Sequence, residues 1–282
     1  ERLAGLHGVD PEQIVCGNGS DEILTLCVRA FVEDDGAVSC FEPTYSLYPV
    51  LADIAGVPCR AVPLGDGFEW PGEVRARASI FFLAHPNAPT GRVYDEEQVL
   101  AFCRSFDGVV VIDEAYADFA ERTFVAAAAG MDNVLVARTF SKSFSLAGAR
   151  FGYAVGPAPL IEAMRRIKDS YNVNAVTQAL AAASLECLDE IREQTRRVIR
   201  IREQTAEALA EAFDVAPSAA NFLWVRPRAG TAETWFHALR REKILVRHFP
   251  GPRTGAWLRI TVGTEDQMDA LCQAVERIGR TV

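Results

Sequence analysis

The sequence predicts an α/β fold: a large domain with a mostly parallel sheet between helices, then a smaller C-terminal α+β domain. Three observations predict it. Ile80–Ala84 and residues 109–112 are continuous apolar runs, the pattern of parallel strands buried on both faces. Stretches with helical apolar spacing stand between such runs. Each run ends in a turn rich in polar and ring side chains, where open α/β sheets keep their ligands. The boundary is placed near Cys187-Leu188-Asp189, giving a large domain over residues 9–187 and a small one over 188–282.

Taken in order, residues 3–6 are a helix end with Gly8 as its C′ glycine. Residues 14–16 are a short strand. Gly17-Asn18-Gly19-Ser20-Asp21-Glu22 is a tight turn running into a helix over 23–31, with Ser20 or Asp21 as its cap. Residues 37–41 form a strand, 46–55 a helix and 59–62 a strand. The run at 80–84 ends in His85-Pro86-Asn87-Ala88-Pro89-Thr90-Gly91, a turn dense in proline and glycine. A helix over 96–106 leads to the run at 109–112, which ends in Asp113-Glu114-Ala115-Tyr116. Strands at 134–137 and 151–155 flank a lysine-bearing loop, and a helix covers 160–167. Residues 175–213 read as almost wholly helical, in two helices. Beyond them come strands at 222–225, 244–246 and 258–262, with helices at 232–242 and 265–278. The sequence contains no internal repeats.

Composition narrows the function classes. With 282 residues, 49% of them hydrophobic, the chain can bury a sizeable core. A net charge of −9 argues against a nucleic-acid footprint. The basic run at 192–202 is interleaved with Glu193, Gln194 and apolar residues, as on a solvated helix face. No apolar run approaches the roughly 18 residues of a membrane-spanning helix. The seven cysteines are odd in number and free of Cys-X-X-Cys spacing, which points to a reduced, cytoplasmic setting without a metal.

Chemistry concentrates in Thr139–Gly152. Lys142 sits among the hydroxyls of Thr139, Ser141, Ser143 and Ser145, and Arg150 follows a small apolar run. A buried lysine is an amine nucleophile towards carbonyls. Hydroxyls and a guanidinium are what a dianionic phosphate needs. The combination suggests pyridoxal phosphate, an aldehyde with a phosphate handle. A solvated lysine in a serine-rich loop is the plain alternative. Asp113, at a strand end, admits three readings: partner of a protonated ring nitrogen, Walker-B-like magnesium ligand, or simple cap. The absence of a Walker A motif weighs against the second.

Seven motifs stand in order: GNGSDE at Gly17, PTY at Pro43, HPNAPTG at His85, VVVIDEAY at Val109, TFSKSFSLAGARFG at Thr139, YNVN at Tyr171 and LRITVGT at Leu258. Over nearly its whole length the chain resembles the fold-type I pyridoxal-phosphate aminotransferases, most closely the histidinol-phosphate aminotransferases. The resemblance implies pyridoxal 5'-phosphate as cofactor and a role for each residue. Lys142 resembles the lysine that carries the cofactor as an imine and later moves the proton. Asp113 resembles the partner of the pyridine nitrogen, Tyr116 the donor to the ring oxygen, and Tyr45 the ring-stacking residue. The backbone of Gly19, Ser20 and Asp21, with Thr139, Ser141 and Arg150, would hold the phosphate. Arg259 and Arg247 match anion-binding arginines for the substrate. The family often carries Asn directly before Pro-Thr-Gly, where this chain has Ala88, so either Asn87 reaches the ring oxygen or Tyr116 serves alone. Residues 1–8 would be the remnant of an N-terminal arm.

The activity so implied is transamination between a small-molecule amino donor, L-histidinol phosphate, and 2-oxoglutarate, by a cytoplasmic homodimer in histidine biosynthesis. Aromatic aminotransferases and phosphothreonine decarboxylases share the scaffold and stay open as alternatives. So does a reading of another class, an inactive cofactor-binding structural or regulatory protein.

Overall fold

A computed structural model of the chain describes residues 1–280. The first helix, α1 (Arg2–His7), ends at Gly8, whose φ of 65° is the left-handed conformation glycine adopts freely. Then follow β1 (Ile14–Gly17), α2 (Ser20–Phe31), β2 (Val38–Glu42), α3 (Leu47–Ala55), β3 (Cys59–Pro63), β4 (Ile80–Ala84), α4 (Glu96–Ser105), β5 (Val109–Asp113), α5 (Val125–Gly130), β6 (Val134–Thr139) and β7 (Gly152–Val155). Helices α6 (Ala158–Ile167), α7 (Ala175–Ser184) and α8 (Leu188–Leu209) lead to the C-terminal elements. These are β8 (Phe213–Ala216), β9 (Phe222–Pro227), α9 (Ala232–Arg241), β10 (Arg247–His248), β11 (Leu258–Thr261) and α10 (Glu265–Gly279).

The first seven strands form one sheet in the order β1-β7-β6-β5-β4-β2-β3. Strands β3, β2, β4, β5 and β6 run parallel, and β7 is antiparallel to both its neighbours. Alternation along the strands divides the core. Phe81, Leu83, Val110, Ile112 and Val136 pack on one face, and Ile80, Phe82, Val111, Leu135 and Ala137 on the other. Each Val, Leu, Ile or Phe among them contributes about 1.5–3 kcal/mol when fully buried. The register sets Ala84 opposite Asp113 and Asp113 opposite Ala137, so three strand ends open side by side.

The second sheet, β10-β11-β9-β8, is antiparallel. Its alternation decides what faces the site. Leu223, Val225, Leu258 and Ile260 pack with Trp235, Leu239 and Leu271 of its own helices. The intervening Phe222, Trp224 and Arg259 therefore point the opposite way. Trp224 lies edge-on to Phe68, from the segment after β3, at 6.3 Å.

Four expectations are corrected. Helix α2 begins at Ser20 with Gly19 at the N-cap and no side-chain cap, so neither Ser20 nor Asp21 fills that role. The strand expected at 244–246 is instead β10, Arg247–His248. Lys243 takes a φ of 62° and Ile244 bonds back to Leu239 at 2.9 Å, so the end of α9 delays the strand. The expected helix to 213 ends at Leu209, because Phe213 begins β8, pairs with β9 and packs on Trp235 at 4.7 Å. In the basic run, Arg202 is buried rather than solvated and donates to the Ala220 carbonyl at 3.0 Å.

His85 generates a stability prediction. Its Nε2 accepts from the Tyr94 amide at 3.0 Å, and burial lowers its pKa to about 4. A histidine whose folded pKa lies below its unfolded value, about 6.5, gives stability that is complete above pH 6.5 and lost as pH falls towards 4. By pH 5 the loss from this group is about 2 kcal/mol relative to pH 8. Denaturant titrations at the two pH values are expected to show a wild-type loss that exceeds that of His85→Leu by about this amount.

Candidate active site

A cavity of about 200 Å³ opens at the carboxyl ends of the central strands. Each wall comes from a different turn. The turn after β1 brings Ser20 and Asp21, the turn before α3 brings Tyr45, and β4 ends with Ala84, Pro86 and Ala88. Strand β5 brings Asp113, Ala115 and Tyr116, and β6 with its following loop brings Thr139, Ser141, Lys142 and Arg150.

At one end the groups suit a phosphate. Gly19 at the α2 N-cap leaves the first amides of that helix without side-chain partners, and such an end attracts anions. A Cβ on Gly19 would come within 2.6 Å of the Arg150 guanidinium, and one on Gly152 would strike the backbone of Gly19 and Ser20. Glycine at both places lets β7 and Arg150 close on the helix end. Arg150 itself has a φ of 55°, a strained conformation that turns its side chain inwards. It pairs with Asp21 Oδ2 at 3.1 Å and lies 3.4 Å from Ser141 Oγ. The Ser141 and Thr139 hydroxyls are 3.0 Å apart. The carboxylate of Asp21 also accepts from the Tyr45 hydroxyl at 3.3 Å. Towards a phosphate, Asp21 would therefore offer its backbone amide and not its side chain.

At the other end lies Asp113, 5% exposed. Its Oδ2 accepts from the Tyr48 hydroxyl at 2.8 Å and its Oδ1 from the Ala115 amide at 3.1 Å. Burial raises its pKa, while the two donors, and Lys142 nearby, pull it down. A cationic ring nitrogen would meet a desolvated carboxylate there, the setting in which an ion pair is strongest. The Lys142 amine sits 5.0 Å over the Tyr116 ring. The donor set, the glycine cradle and the buried acid together fit pyridoxal phosphate.

A buried ionic cluster holds this arrangement from behind. Glu114 accepts from Arg138 at 2.9 Å and from the Thr123 hydroxyl at 2.6 Å. The second Arg138 nitrogen pairs with Asp118, which also accepts from Ser143, the neighbour of Lys142. Glu114 is thereby turned away from the cavity, which leaves the magnesium reading of the Asp-Glu pair without its second carboxylate.

Two expected groups stand elsewhere. Asn87 does not line the cavity: it is fully buried, its amide donates to the Pro43 carbonyl at 3.3 Å and its oxygen accepts from Thr90 Oγ1 at 2.8 Å. It braces its own turn, whereas Tyr116 lines the cavity. Arg247 and Arg259 face each other in register on β10 and β11. Both guanidinium groups lie 5.3 Å from the Phe249 ring, and Arg259 lies 5.0 Å from Phe222, which meets Tyr116 edge-on at 5.2 Å. They adjoin the cavity across Phe222. The Arg259 Nε is buried without a hydrogen-bond partner, and burial, with Arg247 beside it, lowers its pKa.

Sequence reasoning missed Tyr48 and the Arg138 cluster. The tyrosine stood in view three residues beyond Tyr45, the spacing of one helical face, but nothing local marks what it touches.

The model of the family "Aminotransferase class I and II" matches residues 1–275. A histidinol-phosphate aminotransferase of Synechocystis sp. is 41% identical over 98% of this chain and 79% of its own length. Histidinol-phosphate aminotransferase 2 of Thiobacillus denitrificans is 43% identical over 98% of this chain and 79% of its own. The crystal structure of histidinol-phosphate aminotransferase from Sinorhizobium meliloti in complex with pyridoxal-5'-phosphate superposes with a TM-score of 0.91 at 27% identity, over 99% of this chain and 80% of that one. With its cavity, its sheet order and these relatives in agreement, the chain belongs to the class I and II aminotransferases.

Proposed function

We propose that the chain is a pyridoxal-phosphate-dependent aminotransferase that passes the amino group of L-histidinol phosphate to 2-oxoglutarate, in histidine biosynthesis. The observation that carries this reading is the convergence of Lys142, Asp113 and Arg150 on one cavity. The relatives named histidinol-phosphate aminotransferase, at 41% and 43% identity, support the substrate. Bound pyridoxal 5'-phosphate supplies an aldehyde that condenses with amines and a ring that takes up the electron pair released at the amine-bearing carbon. Lys142 would hold the cofactor and would move the proton as base and acid. Asp113 would keep the ring nitrogen protonated, Tyr116 would donate to the ring oxygen, and Tyr45 would pack on the ring face. Arg150, Ser141, Thr139 and the first amides of α2 bind the phosphate. Arg259 and Arg247 take the anionic end of each substrate in turn, since a guanidinium forms two parallel bonds with a phosphate or a carboxylate alike.

A homodimer belongs to the same reading. The support is an uncovered apolar strip on and before α7, with Tyr171 95%, Val176 69% and Leu180 44% exposed. The cytoplasm is proposed from the seven free thiols. The division into a cofactor-binding unit, 9–187, and a smaller unit, 188–282, follows the two sheets.

Borohydride reduction with pyridoxal phosphate, followed by peptide mapping, is expected to label Lys142, and turnover with histidinol phosphate is expected to exceed turnover with aromatic amino acids and phosphothreonine. A label on Lys168 or Lys243, or a chain that binds the cofactor without turnover, would sink the proposal.

Asp113→Asn is expected to keep the cofactor and slow turnover roughly 10²- to 10³-fold, as when one preorganised charge-stabilising group is removed. Near-normal turnover contradicts the role given to this carboxylate.

Loss of a bond to a charged group costs on the order of 1.5–3 kcal/mol, so Arg259→Ala is expected to weaken substrate use by roughly 10- to 150-fold with cofactor absorbance unchanged. Arg247→Ala is expected to harm the histidinol-phosphate half-reaction more than the glutamate one. Equal small losses in both half-reactions, or loss of cofactor, would show the pair to be misplaced.

A further inference from the structure

Tyr48 is a large side chain, fully buried, whose hydroxyl contacts the site. Its ring is held on two sides: it stacks on Phe82 at 4.8 Å and 15°, and meets Tyr45 edge-on at 5.7 Å and 88°. So fixed, the hydroxyl has one partner, Asp113 Oδ2, at 2.8 Å. Burying a phenol hydroxyl is unfavourable unless it is bonded, and burying a carboxylate more so. Each group therefore makes the burial of the other tolerable. The other carboxylate oxygen is held by the Ala115 amide at 3.1 Å, so the plane of the acid is set by one donor from α3 and one from its own turn.

We propose that Tyr48 is a positioning residue: it orients Asp113 and keeps it ionised for the ring nitrogen of the cofactor, so that α3 and the turn before it serve the ring at two points, Tyr45 at its face and Tyr48 through the acid. The inference rests on the cofactor reading above.

The charged and titratable groups around Asp113 decide how much depends on this one donor. From α2 come Asp21, whose charge disfavours ionisation of Asp113, and the buried thiol Cys27. From the turn before α3 comes Tyr45, and from the loop after β6 comes Lys142, the one cation among them. Burial dominates and raises the pKa of Asp113. Against it stand the Tyr48 hydroxyl first, then the Ala115 amide and, more weakly, Lys142. In the cofactor-free chain Tyr48 is thus the leading influence that favours the anion.

Tyr48→Phe keeps the ring and its packing and removes one hydroxyl. The test has two arms. In the first, the cofactor-free protein carries carboxyl-¹³C aspartate and is titrated by NMR, with the Asp113 resonance assigned by its absence in Asp113→Ala. The pKa of Asp113 is expected to rise in Tyr48→Phe. In the second, pyridoxal phosphate affinity is measured near neutral pH. Tyr48→Phe is expected to weaken it about tenfold in the wild-type background and to cost nothing in Asp113→Ala, where the hydroxyl has lost its partner. An Asp113 titration that stays in place, or an equal loss of affinity in both backgrounds, overturns the proposal. The first arm uses no cofactor, so its failure counts against Tyr48 alone. Failure of the wild-type chain to bind pyridoxal phosphate counts instead against the function proposed above.

Discussion

The site depends on one buried guanidinium. Arg138 stands near the end of β6 and reaches Glu114 and Asp118, both in the turn that leaves β5. Asp113 precedes Glu114, and Thr139 follows Arg138. Through Ser143, Asp118 also holds the loop that carries Lys142. Three pieces of backbone that each bear a site residue are thus locked by one ionic cluster, buried at Glu114 and Arg138 and part-exposed at Asp118. Such a cluster adds little net stability, because desolvation offsets most of the attraction, yet removing Arg138 would leave the buried Glu114 without its counter-charge at a cost of about 3–5 kcal/mol. Its value lies in geometry: the distance between the amine and the acid is set by bonds that cannot relax separately.

The second sheet contributes by the period of a strand. Leu223 and Val225 on β9, and Leu258 and Ile260 on β11, are drawn to their own helices. Their neighbours Phe222 and Arg259 are thereby delivered to the site side, and antiparallel register brings Arg247 beside Arg259. Like charges placed directly across a sheet repel. Here both guanidinium groups lie 5.3 Å from the Phe249 ring, and Arg259 keeps one buried nitrogen unbonded. Such a pair suits an anion held between its arms.

Much of this was legible in the sequence. The runs at Ile80–Ala84 and 109–112 announced buried parallel strands, because only a strand covered on both faces lacks polar alternation. Thr139, Ser141, Lys142 and Arg150 lie close in the chain, so their shared chemistry survives without a fold to assemble it. The order of the seven motifs carried the family. Local signals failed where tertiary pairing overrode them. Phe213 sits in a helix-forming stretch but is claimed by β9 and Trp235. Arg247 was placed after a strand that in fact begins with it.

What the sequence determined alone was the fold class, the lysine loop and the strand-end acid, since each follows from residues within a few positions of one another. What only the tertiary structure decided are the contacts between distant segments. Asn87 is consumed by its own turn and by Pro43. Tyr48 meets Asp113 across a separation of 65 residues, and Arg150 meets Asp21 across 129. Local propensity carries no information about such pairs: they exist because the sheet lays its strands in an order that the chain does not follow.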